Sequence, residues 1–108
     1  MILSYQDSNG TTHKLRLKAI TIKPITIGRG KEADVQLDDG NCSRVHCAIR
    51  YWDDIFVVRD MNSRNGTYLN GNKIDVAQLN PNDVIKIGNT EMHVQAEAGS
   101  SLDVTMVG

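Results

Sequence analysis

The chain has 108 residues, 40% apolar but only 5% aromatic, which suits one domain with a modest, largely aliphatic core. Its twelve Lys and Arg against thirteen Asp and Glu leave a formal charge of −1, which argues against a whole-domain nucleic-acid or membrane-surface binder, since either would carry a clear basic surplus. A local basic patch stays compatible with that balance, because Arg29, Lys31, Arg44 and Arg64 are free to converge in space.

No apolar run approaches the roughly 20 residues that a membrane helix needs. The opening "MILSYQDSNG" lacks the charged lead and apolar stretch of a signal peptide. The expectation is a cytoplasmic domain whose Cys42 and Cys47 are reduced thiols. If both lay on one strand, five residues apart, their side chains would point to opposite faces and could not pair. Three N-x-S/T sequons, at Asn9, Asn41 and Asn65, carry no glycosylation meaning without export, and at Asn9 and Asn65 the Asn-Gly pair reads as turn chemistry.

In chain order the candidate strands are 14–20, 24–28, 34–37, 46–51, 55–60, 67–70, 83–88 and 90–96. Many alternate apolar with polar residues, the period of a half-buried strand. In "HCAIRY", Cys47, Ile49 and Tyr51 share one face and His46, Ala48 and Arg50 the other. Asp53-Asp54 and Asn70-Gly71 mark hairpin turns, and Pro81-Asn82 and Gly88-Asn89 two further turns. No stretch of about 11 residues holds a helical period, so the fold class is all-β, a sandwich. After Ala96 the pattern gives way to "AEAGSSLDVTMVG", small and polar with a late apolar group at Leu102, Val104, Met106 and Val107. Residues 1–96 therefore read as the domain and 97–108 as a flexible tail or linker.

Three clusters carry chemistry. Gly28-Arg29 closes a strand, where glycine's freedom lets the arginine be aimed from a turn, and a guanidinium there can donate a forked pair of bonds to phosphate or carboxylate. Ser43-Arg44-Val45-His46 puts a hydroxyl, loop amides and a second guanidinium just before a strand, which are the short donors an anion needs. His46, opening that strand, is read as a structural ligand of a neighbouring loop's backbone. Ser63-Arg64-Asn65-Gly66-Thr67 supplies a second donor loop, in which Asn65 offers a donor and an acceptor suited to an extended peptide.

In that order, Gly28-Arg29, Ser43-Arg44-x-His46, Ser63-x-Asn65-Gly66-Thr67 and Asn70-Gly71 together resemble the forkhead-associated (FHA) domain. "GRGKEADVQLDDGNCSRVHCAI", "VVRDMNSRNGTYLNGNKI" and "AQLNPNDVIKIGNTEMHV" extend the likeness over residues 23–95. The resemblance implies a β-sandwich of about eleven mostly antiparallel strands whose apical loops bind a phosphothreonine peptide. By position, Arg29 and Ser43 would contact the phosphate with Arg44 beside them. Ser63 and Arg64 would flank it, and Asn65 would hold the peptide backbone. Gly28, His46, Gly66 and Thr67 would shape the loops. Such a domain prefers phosphothreonine to phosphoserine and reads a residue three places further along. Its partner would be a threonine-phosphorylated protein, a Ser/Thr kinase or its substrate, and no cofactor, metal, nucleic acid or membrane is called for.

Some positions depart from the family pattern. Cys42 and Cys47 stand where an aliphatic residue and an alanine are commoner, and both are small enough to be buried. Asn62 stands where glycine is frequent and is expected to keep a positive φ, while Pro81-Asn82-Asp83 replaces a Gly-Asp turn. An enzyme built on Ser43, His46 and Asp60, or a metal site from Cys42, His46 and Cys47, finds no supporting motif. The rival reading is an FHA fold that docks or oligomerises independently of phosphate. A further expectation concerns Thr105: if a kinase modified it, the tail would compete for the module's own site or a neighbouring copy's.

Overall fold

The computed structural model describes residues 1–19 and 23–97. Ile20, assigned from sequence to the strand 14–20, and the tail from residue 98, with Thr105, lie outside the described residues. Among the described residues eleven strands are present: β1 Ile2–Gln6, β2 Thr12–Arg16, β3 Ile25–Gly28, β4 Val35–Gln36, β5 Cys47–Trp52, β6 Ile55–Asp60, β7 Thr67–Leu69, β8 Asn72–Ile74, β9 Val76–Leu79, β10 Val84–Ile87 and β11 Thr90–Gln95. They form a six-stranded sheet, β2-β1-β11-β10-β7-β8, and a five-stranded sheet, β4-β3-β5-β6-β9. Only the two-residue β4 pairs in parallel, against β3, so the sandwich is mostly antiparallel as expected.

Alternation makes the core. Leu3, Val94, Met92, Ile85 and Ile87 point inward from one sheet, and Ile27, Cys47, Ile49, Val58 and Leu79 from the other. Burying each large aliphatic side chain is worth about 1.5–3 kcal/mol. Tyr51 continues the inward face of β5 and meets Phe56 edge-on, 4.9 Å between ring centres. On the other face His46 and Ala48 are buried while Arg50 is exposed. Cys42 is not on a strand, so the two thiols never met the condition set for them. Both are unpaired and lie in the core.

The turn dipeptides take the conformations their residue types favour. Asp53-Asp54 (φ 53° and 66°) and Asn70-Gly71 (50° and 86°) close two-residue hairpins with positive φ at both positions. Asn82 at 76° follows Pro81 in the turn before β10, and Asn62 at 55° holds the left-handed conformation expected of it. Three strands were not legible. β1 opens the chain before any turn signal, and β8 and β9 are short and flanked by polar residues.

Register sets the position of the site. Ile27 pairs with Cys47, Cys47 with Asp60, and Ile87 with Thr67. The end of β3, the start of β5, the end of β6 and the start of β7 are therefore level at one pole. The segments 29–34, 37–46, 61–66 and the turn 88–89 all leave from that pole. Because Ile85 sits at the centre of this frame with no solvent exposure, Ile85→Ala should cost about 3 kcal/mol in a denaturant melt with an unchanged m-value.

Candidate functional site

The apical loops are assembled by backbone. Beyond β3 the chain lies against residues 43–46: Arg29 N–H donates to Ser43 O (2.9 Å), Gly30 N–H to Arg44 O (2.9 Å), and His46 N–H to Ile27 O (2.8 Å). This closeness explains Gly28. Its φ is not positive, so the expected conformational reason does not apply. A Cβ there would instead sit 2.2 Å from the Arg44 carbonyl oxygen, and only glycine fits. Gly66, at φ 88°, does need the left-handed region.

His46 is fully buried and joins two loops. Its Nδ1 accepts from Ser43 N–H (3.0 Å) and its Nε2 donates to Gly66 O (2.8 Å). Those partners fix a single tautomer, protonated on Nε2. Two carboxylates complete the frame. Asp60 takes bonds from Ser63 N–H (3.1 Å), the Ser63 hydroxyl and the Thr67 hydroxyl (2.7 Å). Asp39 takes bonds from Asn41 N–H (2.9 Å), Asn89 N–H (2.8 Å) and the Thr90 hydroxyl (2.7 Å), tying the 37–46 loop to the 88–89 turn. Burial alone would raise both carboxyls. Their hydrogen bonds outweigh it, from Thr90 and Asn41 at Asp39 and from Ser63 and Thr67 at Asp60, and hold each below the usual range.

On this frame opens a cleft of about 420 Å³ lined by Arg29, Asn41, Ser43, Arg44, Arg64 and Asn65, with Gly40 and Cys42. Arg29 Nε is anchored on Cys42 O (3.0 Å), which leaves the terminal nitrogens of the guanidinium for a ligand. Ser43 Oγ accepts from Arg64 N–H (2.9 Å), so the hydroxyl proton is free to be donated. Asn65 Nδ2 donates to Asn41 O (2.8 Å), leaving its carbonyl oxygen to accept a peptide N–H. Arg44 is partly neutralised by Glu32, 3.1 Å away at an exposed position. Among the described residues neither Arg29 nor Arg64 forms an ion pair.

Five of the six contact residues expected from sequence thus converge, and Ser63 does not. Its hydroxyl donates to Asp60 and accepts from Gly66 N–H (2.9 Å), so it is spent inside its own loop. Thr67, fully buried, bonds Asp60, and with Gly28, His46 and Gly66 it belongs to the frame. Asp39, Asn41 and Asp60 were not singled out as site-forming, although the Asp39-x-Asn41 and Asp60-x-x-Ser63 spacings suit local side-chain-to-backbone capping. The triad weighed from sequence does not form either. Both His46 nitrogens engage backbone, and Asp60 bonds Ser63 and Thr67. Burial, chiefly, pushes the Cys42 and Cys47 thiols up to about 12.

A family model described as the FHA domain matches residues 25–88. The FHA domain-containing protein FhaA of Mycobacterium tuberculosis is 36% identical over 93 residues, 86% of this chain but 17% of FhaA. The glycogen accumulation regulator GarA of the same species is 41% identical over 61 residues, 56% of this chain and 38% of GarA. The chain thus spans well under half the length of these relatives. Among solved structures, one from a study of phosphothreonine-dependent FHA domain interactions aligns with a TM-score of 0.71 and 33% identity, covering 90% of this chain and 98% of that one. The FhaA FHA domain complexed with the intracellular domain of Rv3910 aligns at 0.70 and 35%, covering 85% and 96%.

The frame yields two expectations. Gly28→Ala forces the Ser43–Arg44 backbone away and should cost about 3 kcal/mol by thermal or chemical denaturation. Asp39 and Asp60 have folded pKa values below their unfolded ones, so their stabilisation is complete above the unfolded value near 4 and is lost as pH falls through the folded values. Calorimetric melting temperatures should decline below about pH 4, and Asp39→Asn with Asp60→Asn should flatten that acid limb while lowering stability at neutral pH.

Proposed function

Because the chain belongs to the FHA domain family, we propose that it is a phosphothreonine-peptide recognition module that couples protein association to phosphorylation in signalling. One observation carries this reading: Arg29 and Arg64, without carboxylate partners among the described residues, share a cleft with the Ser43 hydroxyl and the Asn65 side chain. In this reading Arg29 and Ser43 bind phosphate oxygens, Arg44 and Arg64 supply field and further donors, and Asn65 accepts from the peptide backbone. Phosphothreonine brings close to two negative charges and three acceptor oxygens. Each charge-assisted bond contributes roughly 1.5–3 kcal/mol, and ordering and desolvation offset much of the sum. The expected dissociation constant is therefore micromolar, about −8 kcal/mol.

Beside Asn65 a second hollow of about 440 Å³ is lined by Gly66, Tyr68, Val84 and Lys86. We assign to it the peptide side chain that follows the phosphothreonine. The partner is a threonine-phosphorylated protein, a Ser/Thr kinase or its substrate, met in the cytoplasm. Support for an interaction role comes from the similar FHA domains studied for phosphothreonine-dependent interactions and from that of FhaA complexed with the intracellular domain of Rv3910. Self-association through a phosphorylated Thr105 belongs to the same proposal.

Fluorescence polarisation against degenerate phosphothreonine, phosphoserine and unphosphorylated libraries tests the reading. Wild type should bind the phosphothreonine library with micromolar affinity, and Arg29→Ala or Ser43→Ala should weaken that roughly tenfold to a hundredfold with little change in melting temperature. Equal binding to all three libraries would replace this function with phosphate-independent docking.

A further inference from the structure

Three large apolar side chains are exposed among the described residues: Trp52 at 59%, Val76 at 52% and Met61 at 42%. Single exposed hydrophobes are ordinary, but these three line the same groove. It runs over the outer face of the five-stranded sheet and encloses about 550 Å³, with Pro24 and Val57 completing its apolar floor. Period two explains the gathering. Residues 48, 50 and 52 of β5 and 57 and 59 of β6 face away from the core, and Val76 of β9 is registered against Arg59.

The groove's charge is one-sided. Among the described residues Arg50 and Arg59 line it and no carboxylate does, and the Arg50 guanidinium lies 5.0 Å over the Trp52 ring. Two copies meeting face to face would bring like charges together in a desolvated interface, which is costly. The groove instead suits an extended apolar segment bearing an acid. The chain supplies one in residues 102–107, LDVTMV, where Leu102, Val104 and Met106 recur at every second position with Asp103 between them.

Reach agrees. β11 leaves the 88–89 turn at the apical pole and ends at the opposite one, where Glu97 is held by Arg16 through bonds of 3.0 and 2.8 Å. β5 likewise starts beside His46 and ends at Trp52, so the groove's Trp52 end shares that pole with Glu97. The five steps from Glu97 to Leu102 extend to roughly 17 Å, against a sheet separation of about 10 Å. We propose that residues 102–107 dock in cis across the outer face of the five-stranded sheet, with Leu102, Val104 and Met106 on the Trp52–Met61–Val76 floor and the outward-facing Asp103 adding a charge opposite in sign to the groove's arginines.

Trp52 is the only tryptophan, so its fluorescence reports this face. Acrylamide quenching of the 108-residue chain should be compared with Leu102→Asp/Val104→Asp in the tail and with Val76→Lys in the groove. Docking predicts that both variants raise the Stern–Volmer constant about twofold and red-shift the emission, because a covered Trp52 becomes exposed again. The wild-type value should not change between about 1 and 100 µM protein, as an intramolecular contact requires. Equal quenching in wild type and tail variant would overturn the proposal. So would protection that grows with concentration alongside a dimer mass in light scattering, since that would assign the groove to a second copy. Neither readout involves phosphopeptide, so the outcome stands apart from the function proposed above.

Discussion

The apical site depends on one buried imidazole. His46 immediately precedes β5, yet its two nitrogens reach outward in sequence, one accepting from Ser43 and the other donating to the carbonyl of Gly66, twenty residues away. Both partners are backbone groups that would otherwise be unsatisfied, and leaving either so costs about 1–3 kcal/mol. The ring therefore fixes the distance between the loop carrying Ser43 and Arg44 and the loop carrying Arg64 and Asn65. A phosphate clamp drawn from separate loops works only if that distance is set before the ligand arrives, because ordering the loops on binding would consume affinity.

Around that bond the protein invests charge in structure first and in recognition second. Asp39 and Asp60 tie the apical loops together, and both are satisfied by loop amides and hydroxyls. Their negative charge is thereby directed into the frame, while Arg29 and Arg64 have no carboxylate partner among the described residues. A chain of net charge −1 can in this way present a cationic cleft without a basic surplus.

Legibility followed the range of the interactions. Strands β2 to β7, β10 and β11 were readable because alternation and turn dipeptides are local, although β2 spans Thr12–Arg16 rather than 14–20, whereas β1, β8 and β9 form because sheet neighbours wait for them. Gly28 was read from sequence through glycine's conformational freedom, whereas its constraint in the fold is the close approach of the Arg44 carbonyl rather than its own φ. Ser63 was grouped with the anion donors because a hydroxyl beside an arginine looks the same whether it faces a ligand or its own loop. The nearby Asp60 decides that it faces the loop.

The sequence by itself determined the all-β class and the turn positions with their positive φ at Asn62, Asn70 and Asn82, and it supplied the pool of hydroxyl, amide and guanidinium donors. Those depend on residue type and on neighbours a few positions away. Only the tertiary structure decided which donors are spent and which are free. Ser43 bonds Arg64 across 21 residues, Asn65 bonds Asn41 across 24, and Asp39 bonds Thr90 across 51. A hydrogen bond's partner is chosen by proximity within a few tenths of an ångström, and for contacts this remote the register of two sheets sets that proximity.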